Sequence, residues 1–307
     1  PQGRSLMQAG GRPGAEARRL KGWFGAHRYL VLRRLSQVLI LGLFLAGPWF
    51  GAWIVTGNLA SSLTLDLLPL TDPLLLLQVF ATGHVPELTA LIGGLIVLAF
   101  YLLVGGRVYC SWVCPINPVT DAAEWLRCKF NIKAGTHFSD QTRYWLLGAI
   151  LLVAAVSGSL AWELVNPVAM VYRGLVFGMG LTWGVLVAVF LLDLCVGRRA
   201  WCGHLCPIGA FYGLVGTAAV LRVAAIQRER CDDCMDCFAV CPEHWVIRPA
   251  LKGADKGFGP VILSGHCTNC GRCIDVCGRD VFAFTIRFTN NHRPALGGEN
   301  HKKEVSS

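Results

Sequence analysis

Cys231-Asp232-Asp233-Cys234-Met235-Asp236-Cys237-Phe238-Ala239-Val240-Cys241-Pro242 is answered further on by Cys267-Thr268-Asn269-Cys270-Gly271-Arg272-Cys273-Ile274-Asp275-Val276-Cys277. Both runs have the spacing C-x2-C-x2-C-x3-C. Three thiolates on one tight loop can face three irons of one cube, and the fourth, three residues on, points toward a neighbouring cube. That crossing assigns Cys231, Cys234, Cys237 and Cys277 to one [4Fe-4S] cluster, and Cys267, Cys270, Cys273 and Cys241 to a second. Structural zinc would show paired C-x2-C knuckles, and a disulfide framework needs no repeated triple. The runs differ in one respect: Pro242 closes the first and Gly278 the second.

The remainder of the chain is apolar. Of 307 residues 54% are hydrophobic and 15% charged, and the mean hydropathy of +0.50 is too high for an ordinary soluble protein. The expected fold is an α-helical membrane protein: a four-helix transmembrane bundle carrying a C-terminal bacterial-type two-cluster ferredoxin domain of small α+β type. Clusters also account for eight of the fourteen cysteines and point to a reducing compartment. The net charge of +9 does not indicate nucleic-acid binding, because the basic residues flank apolar segments.

Residues 1–34 read as a basic cytoplasmic segment with Arg18, Arg19, Lys21, Arg28, Arg33 and Arg34. The chain does not open on Met, which suggests a processed or incomplete start. Arg33-Arg34 resembles a twin-arginine export signal, but the following apolar run lacks a cleavage site and reads as a retained anchor. The membrane domain spans 35–226, with crossings at about 35–55, 88–104, 144–162 and 175–196. The Leu-rich pieces around 63–80, broken by Pro69 and Pro73, read as interfacial or re-entrant. The loop 56–87 has no Lys or Arg and 163–174 has only Arg173, whereas 105–143 carries Arg107, Arg127, Lys129, Lys133 and Arg143. By the positive-inside rule both termini are cytoplasmic and the first and third loops face outward, in a multi-pass protein of the bacterial inner membrane. Residues 207–226 are expected as a helix on the cytoplasmic surface, 227–286 as the cluster domain and 287–307 as a flexible tail.

An internal repeat adds a second cysteine constellation. Gly106-Arg107-Val108-Tyr109-Cys110-Ser111-Trp112-Val113-Cys114-Pro115 aligns with Arg198-Arg199-Ala200-Trp201-Cys202-Gly203-His204-Leu205-Cys206-Pro207. Each copy follows an even-numbered crossing, so Cys110, Cys114, Cys202 and Cys206 are expected to meet at the cytoplasmic mouth of the bundle as a redox or metal site. The readings open for it are a dithiol pair, a metal, or thiols shaping an electron path. Cys128 and Cys195 have no partner at ligand spacing and read as structural.

Electrons reaching such clusters from a membrane need a lipid-soluble donor, which points to quinol. Its oxidation releases protons, and the outward loop supplies Asp66, Asp72, His84 and Glu87 as candidate acceptors beside apolar residues.

Taken together, the two C-x3-C-P motifs, the outward Gly57-Asn58 to Leu70-Thr71-Asp72-Pro73 loop and the double cluster run closely resemble the NapH family of membrane ferredoxin-type subunits. The resemblance covers nearly the whole chain. It implies a quinol dehydrogenase component that takes electrons from ubiquinol or menaquinol. It also implies their passage, with an iron-sulfur subunit of NapG type and a NapC-type cytochrome, toward a NapAB-type periplasmic nitrate reductase. C-x3-C-P motifs also occur in NosR-type regulators and CcoG-type copper-handling proteins, so the alternative is a redox or copper-reducing maturation factor. Neither the flavin domain of the first nor the extra C-terminal domain of the second is expected in this chain, which favours the NapH resemblance.

Overall fold

A computed structural model of the chain describes residues 13–132, 139, 141–178 and 180–288. Residues 1–12 of the basic segment, Lys133 and the tail from Thr289 onward lie outside the described residues. Among the described residues the fold is mostly helical, with two small antiparallel sheets.

Helix α1 (Ala15–Phe50) is longer than the expected first crossing, because it begins within the basic segment. It kinks at Gly22, whose φ of 72° leaves the helical region. Its first half docks on the cluster domain: Gly14 N–H donates to Asp236 at 2.8 Å, Lys21 pairs with Asp280 at 2.5 Å, and Asp275 accepts from the backbone of Tyr29 and Leu30. The two arginines that resemble an export signal are structural here. Arg33 is fully buried and Arg34 binds Asp121. The second half of α1 is apolar and presents Val38 and Leu39 outward.

After α1 the chain forms a three-stranded meander, β1 (Val55–Gly57), β2 (Ser61–Thr64) and β3 (Leu68–Thr71), with Val55 opposite Thr64 and Ser62 opposite Leu70. Helix α2 (Pro73–Ala81) starts on an Asp72 cap that accepts from Leu74 N–H, with Pro73 in the first turn, where its missing N–H costs nothing. Helix α3 (Leu88–Val104) packs against β3 through Gly93 and Gly94. A π-helical turn, Tyr109–Val113, carries the first C-x3-C-P motif into α4 (Asn117–Lys129).

The second half repeats this plan. Helix α5 (Thr142–Ser157) leads through the short α6 (Ala161–Val165) to α7 (Pro167–Phe177), which starts on an Asn166 cap followed by Pro167, as α2 starts on Asp72 and Pro73. Helix α8 (Gly180–Leu191) returns and ends in a π-helical stretch, Leu192–Val196. The expected crossing at 175–196 is thus broken by the left-handed Gly178 that ends α7. The π-helical segment Ala200–Leu205 carries the second motif into α9 (Pro207–Ala218).

Among the described residues one helix, α1, is long and apolar enough to cross a membrane. The apolar helices Leu88–Val104, Thr142–Ser157, Pro167–Phe177 and Thr182–Val196 are shorter. Exposed Leu95, Leu103, Leu152, Val156, Trp183 and Val187 stand on their outer faces.

The helix expected over 207–226 ends at Ala218. Leu221–Ala225 is instead strand β4, paired with β5 (Phe282–Ile286) in the register Leu221 to Ile286. Its Arg222 is buried and donates to the backbone of Ala219 and Ser264, so a charge that looks solvent-facing in sequence closes the junction between bundle and cluster domain. Helices α10 (Asp236–Val240), α11 (Ile247–Lys252) and α12 (Arg272–Val276) complete that domain around Val223, Phe238, Ile247, Ile262 and Phe282.

Candidate functional site

The two cysteine runs of the cluster domain fold into like loops. Asp233 and Met235 in the first, and Asn269 and Gly271 in the second, all have positive φ. This left-handed alternation turns successive N–H groups inward, making a nest for an anion. Backbone N–H groups two residues ahead reach the sulfur of Cys231, Cys234, Cys267 and Cys270. Gly271 has a second reason to be glycine: a Cβ there would stand 2.4 Å from the Tyr29 ring.

Cys231, Cys234, Cys237 and Cys277 line one cavity of about 350 Å³, with Met235, Phe238, Leu251 and Phe282. Cys241 lies instead with Cys267, Cys270 and Cys273. The fourth cysteine of each run therefore sits with the other run's first three. The charge around the second group fits a cube held by four thiolates, which is an anion. Arg33 is 0% exposed, and its Nη1 and Nη2 have no partner among the described residues. It lines a cavity of about 370 Å³ with Arg107, Arg199, Arg272 and Cys270. Burial pushes the Cys270 thiol up, but Arg33 and Arg272 outweigh it, and the net direction is down, toward thiolate.

The C-x3-C-P thiols also converge. Cys110, Cys114, Cys202 and Cys206 line a cavity of about 390 Å³ together with Trp162, Asn166 and Trp201. In both motifs the π-helical turn closes with the same bond, Cys114 N–H to Tyr109 O at 3.0 Å and Cys206 N–H to Trp201 O at 2.9 Å. Arg107 of the first motif donates to Cys202 O of the second at 3.1 Å, to His266 O at 3.0 Å and to Glu243 at 2.9 Å. Burial raises the Glu243 carboxyl, but Arg107 and Arg143 overcome it and hold it below its ordinary value. Arg199, at the equivalent position of the second motif, pairs with Glu124 at 2.5 Å and also binds Asp121. Cys110 and Cys202 border the same arginine-lined cavity as Cys270, so the thiol site adjoins the second cluster position. Cys128 and Cys195 are exposed and line neither thiol cavity.

Comparison with known proteins agrees with both constellations. A family model described as a 4Fe-4S binding domain matches residues 87–133 and again 175–223, once per C-x3-C-P repeat, and a 4Fe-4S dicluster domain matches 230–281. The chain is 49% identical to the ferredoxin-type protein NapH of Escherichia coli K12, over 90% of this chain and 96% of that protein. It is 53% identical to the methylamine utilization ferredoxin-type protein MauN of Methylorubrum extorquens, over 89% of this chain and 94% of the relative. For MauN of Paracoccus denitrificans the identity is 54%, over 89% and 95%. The chain belongs to the NapH/MauN family of ferredoxin-type proteins. No solved structure matches it.

Of the four outward-loop candidates in this NapH/MauN-type chain, the structure brings one inside. Asp66, His84 and Glu87 are exposed, and among the described residues His84 hydrogen-bonds to its neighbour Thr82, at 3.1 Å. Asp72 accepts from the Tyr212 hydroxyl at 3.0 Å. Tyr212 is itself buried, stacked on Tyr109 at 5.1 Å and edge-on to Tyr101 at 4.8 Å. This aromatic group separates the meander from the thiol cavity, which Tyr109 lines. Sequence reading missed Tyr212, Arg33, Trp162 and Asn166. Only Asn166 left a signal, since Asn166-Pro167 echoes Asp72-Pro73.

Proposed function

We propose that this NapH/MauN-type electron-transfer protein is a four-span inner-membrane subunit that oxidises ubiquinol or menaquinol. We place its termini in the cytoplasm and assign it two [4Fe-4S] clusters on the eight cysteines of residues 231–277. The exposed apolar faces of α1, α3, α5 and α8 support the four crossings. The observation that carries the quinol reading is the seat of Asp72 on Tyr212, at the end of a re-entrant meander and one aromatic layer from the thiol cavity.

Bound cubes supply one-electron acceptors and donors. The chain's own residues do the rest. Quinol gives up two electrons and two protons on becoming quinone. Asp72 takes the protons in turn, oriented by the Tyr212 hydroxyl and the Leu74 N–H, and releases them toward the outward loop. Tyr101, Tyr109 and Tyr212 keep water out of the route between that carboxylate and the thiols.

Downstream, electrons pass toward a periplasmic nitrate reductase through an iron-sulfur partner of NapG type and a NapC-type cytochrome. One observation supports a second destination, a methylamine utilization system: two MauN relatives stand at 53% and 54% identity and a third at 47%, beside NapH relatives at 49%. The deciding experiment follows cluster bleaching by added quinol in anaerobic membranes holding the full chain. Reduction by dithionite but not by quinol would end the reading.

A further inference from the structure

The four C-x3-C-P thiols line one cavity, and they have the hydrogen bonding and surrounding charge of a cluster site.

The sulfurs are also hydrogen-bonded as cluster ligands are. Cys114 accepts from the backbone N–H groups of Ile116 and Asn117, and Cys206 from those of Ile208 and Gly209. These donors lie two and three residues ahead. The first spacing is the one by which Cys231, Cys234, Cys267 and Cys270 are bonded in the ferredoxin loops.

The surroundings favour an anion. Helix α9 begins at Pro207 on a Cys206 cap, α4 begins at Asn117 directly after Ile116, and α7 begins at Pro167 on an Asn166 cap; Cys206, Ile116 and Asn166 all line the cavity. Three positive helix ends therefore converge on one space. Trp162, 6% exposed, lines the same cavity, and its indole N–H has no partner among the described residues. A donor so placed is costly to leave unmade and suits a sulfide or thiolate acceptor.

We infer that Cys110, Cys114, Cys202 and Cys206 hold one [4Fe-4S] cube shared between the two repeats, a third cluster beside the one held by Cys241, Cys267, Cys270 and Cys273. Each repeat supplies two thiolates, so neither half holds the cube alone. The arginine-lined cavity that Cys110 and Cys202 share with Cys270 links the two positions. This assignment deepens the proposed electron route, yet its test is an iron count that does not depend on quinol oxidation.

The full chain, purified and reconstituted anaerobically, is expected to hold about twelve irons and as many acid-labile sulfides, four for each cube. The paired substitution Cys114→Ser with Cys206→Ser is expected to lose about a third of both while keeping the paramagnetic signals of the ferredoxin pair. Trp162→Phe is expected to keep all the iron and move only the third signal's potential, downward, because a hydrogen bond to sulfur stabilises the reduced state. If the paired variant does not fold, Cys110→Ser alone serves, with a changed third signal as the expected result. Fully reconstituted protein with about eight irons, unchanged by these substitutions, overturns the assignment. Stoichiometric zinc or copper lost with the cysteines overturns it equally.

Discussion

The Tyr212 hydroxyl reaches the Asp72 carboxylate at 3.0 Å, joining the helix that starts at Cys206 to a meander far earlier in the chain. Asp72 has two duties there, since it also caps α2 through Leu74 N–H at 3.1 Å. Asn retains the capping oxygen and cannot take a proton, so Asp72→Asn separates the two. Quinol-dependent cluster reduction is expected to fall by about 10²-fold, in the range of a lost general base, with dithionite reduction unchanged. Tyr212→Phe should cost about tenfold. Wild-type quinol kinetics in both variants would remove this carboxylate from the mechanism.

Arg33 lies fully buried with both terminal nitrogens unpartnered among the described residues, on the cavity that holds Cys270. Burial draws its guanidinium down to about 10, still charged at neutral pH. That charge stabilises the reduced, more negative form of an adjacent cube. Arg33→Gln is expected to lower the potential of the cube proposed on Cys241, Cys267, Cys270 and Cys273 by tens of millivolts. Redox-titrated paramagnetic resonance reads this directly, and the cube proposed at Cys231, whose cavity Arg33 does not border, is the internal control.

Gly271 meets two constraints, a φ of 72° and the Tyr29 ring 2.4 Å from where a Cβ would lie. Gly271→Ala is expected to destabilise the docking of α1 on α12 by about 2 to 4 kcal/mol, from backbone strain plus overpacking. Adding Tyr29→Ala should recover only the overpacking part. Amide exchange at Asp275's partners, Tyr29 and Leu30, would show the loosening, and full recovery in the double variant would refute the strain component.

The cluster loops were legible because ligand spacing is a short-range code, and the convergence of Cys110, Cys114, Cys202 and Cys206 was legible because a repeat implies like halves. What stayed hidden depends on long-range packing. Arg33 looks like a membrane flank until α1 is laid against the cluster domain. Arg222 looks too polar for anything but a surface helix, yet strand pairing with β5 supplies carbonyl acceptors that no local pattern announces. Asp66, Asp72, His84 and Glu87 look alike in sequence. Only the descent of the meander along Gly93 and Gly94 separates Asp72 from the other three.

Asp121 gathers three cations, pairing with Arg272 at 2.6 Å and also binding Arg34 and Arg199. One carboxylate on α4 thereby ties α1, the second C-x3-C-P motif and α12 together. Burial raises this carboxyl, but Arg199, Arg272 and Arg34 more than reverse it and hold it far below the ordinary carboxylate range. In the unfolded chain it titrates near its ordinary value of about 4. Its stabilisation is therefore complete above about pH 4 and fades as acid protonates the folded form, with no change expected from this group between pH 8 and about pH 5. Asp121→Asn leaves three buried or half-buried guanidiniums short of their counter-charge and should cost about 3 kcal/mol at pH 7. The gap between wild type and variant should then narrow below about pH 4, because the wild type loses in acid what the variant lacks throughout. Amide exchange across residues 117–129 measures the junction itself, apart from any acid loss of clusters. A gap that widens in acid would show that Asp121 is not the group holding it.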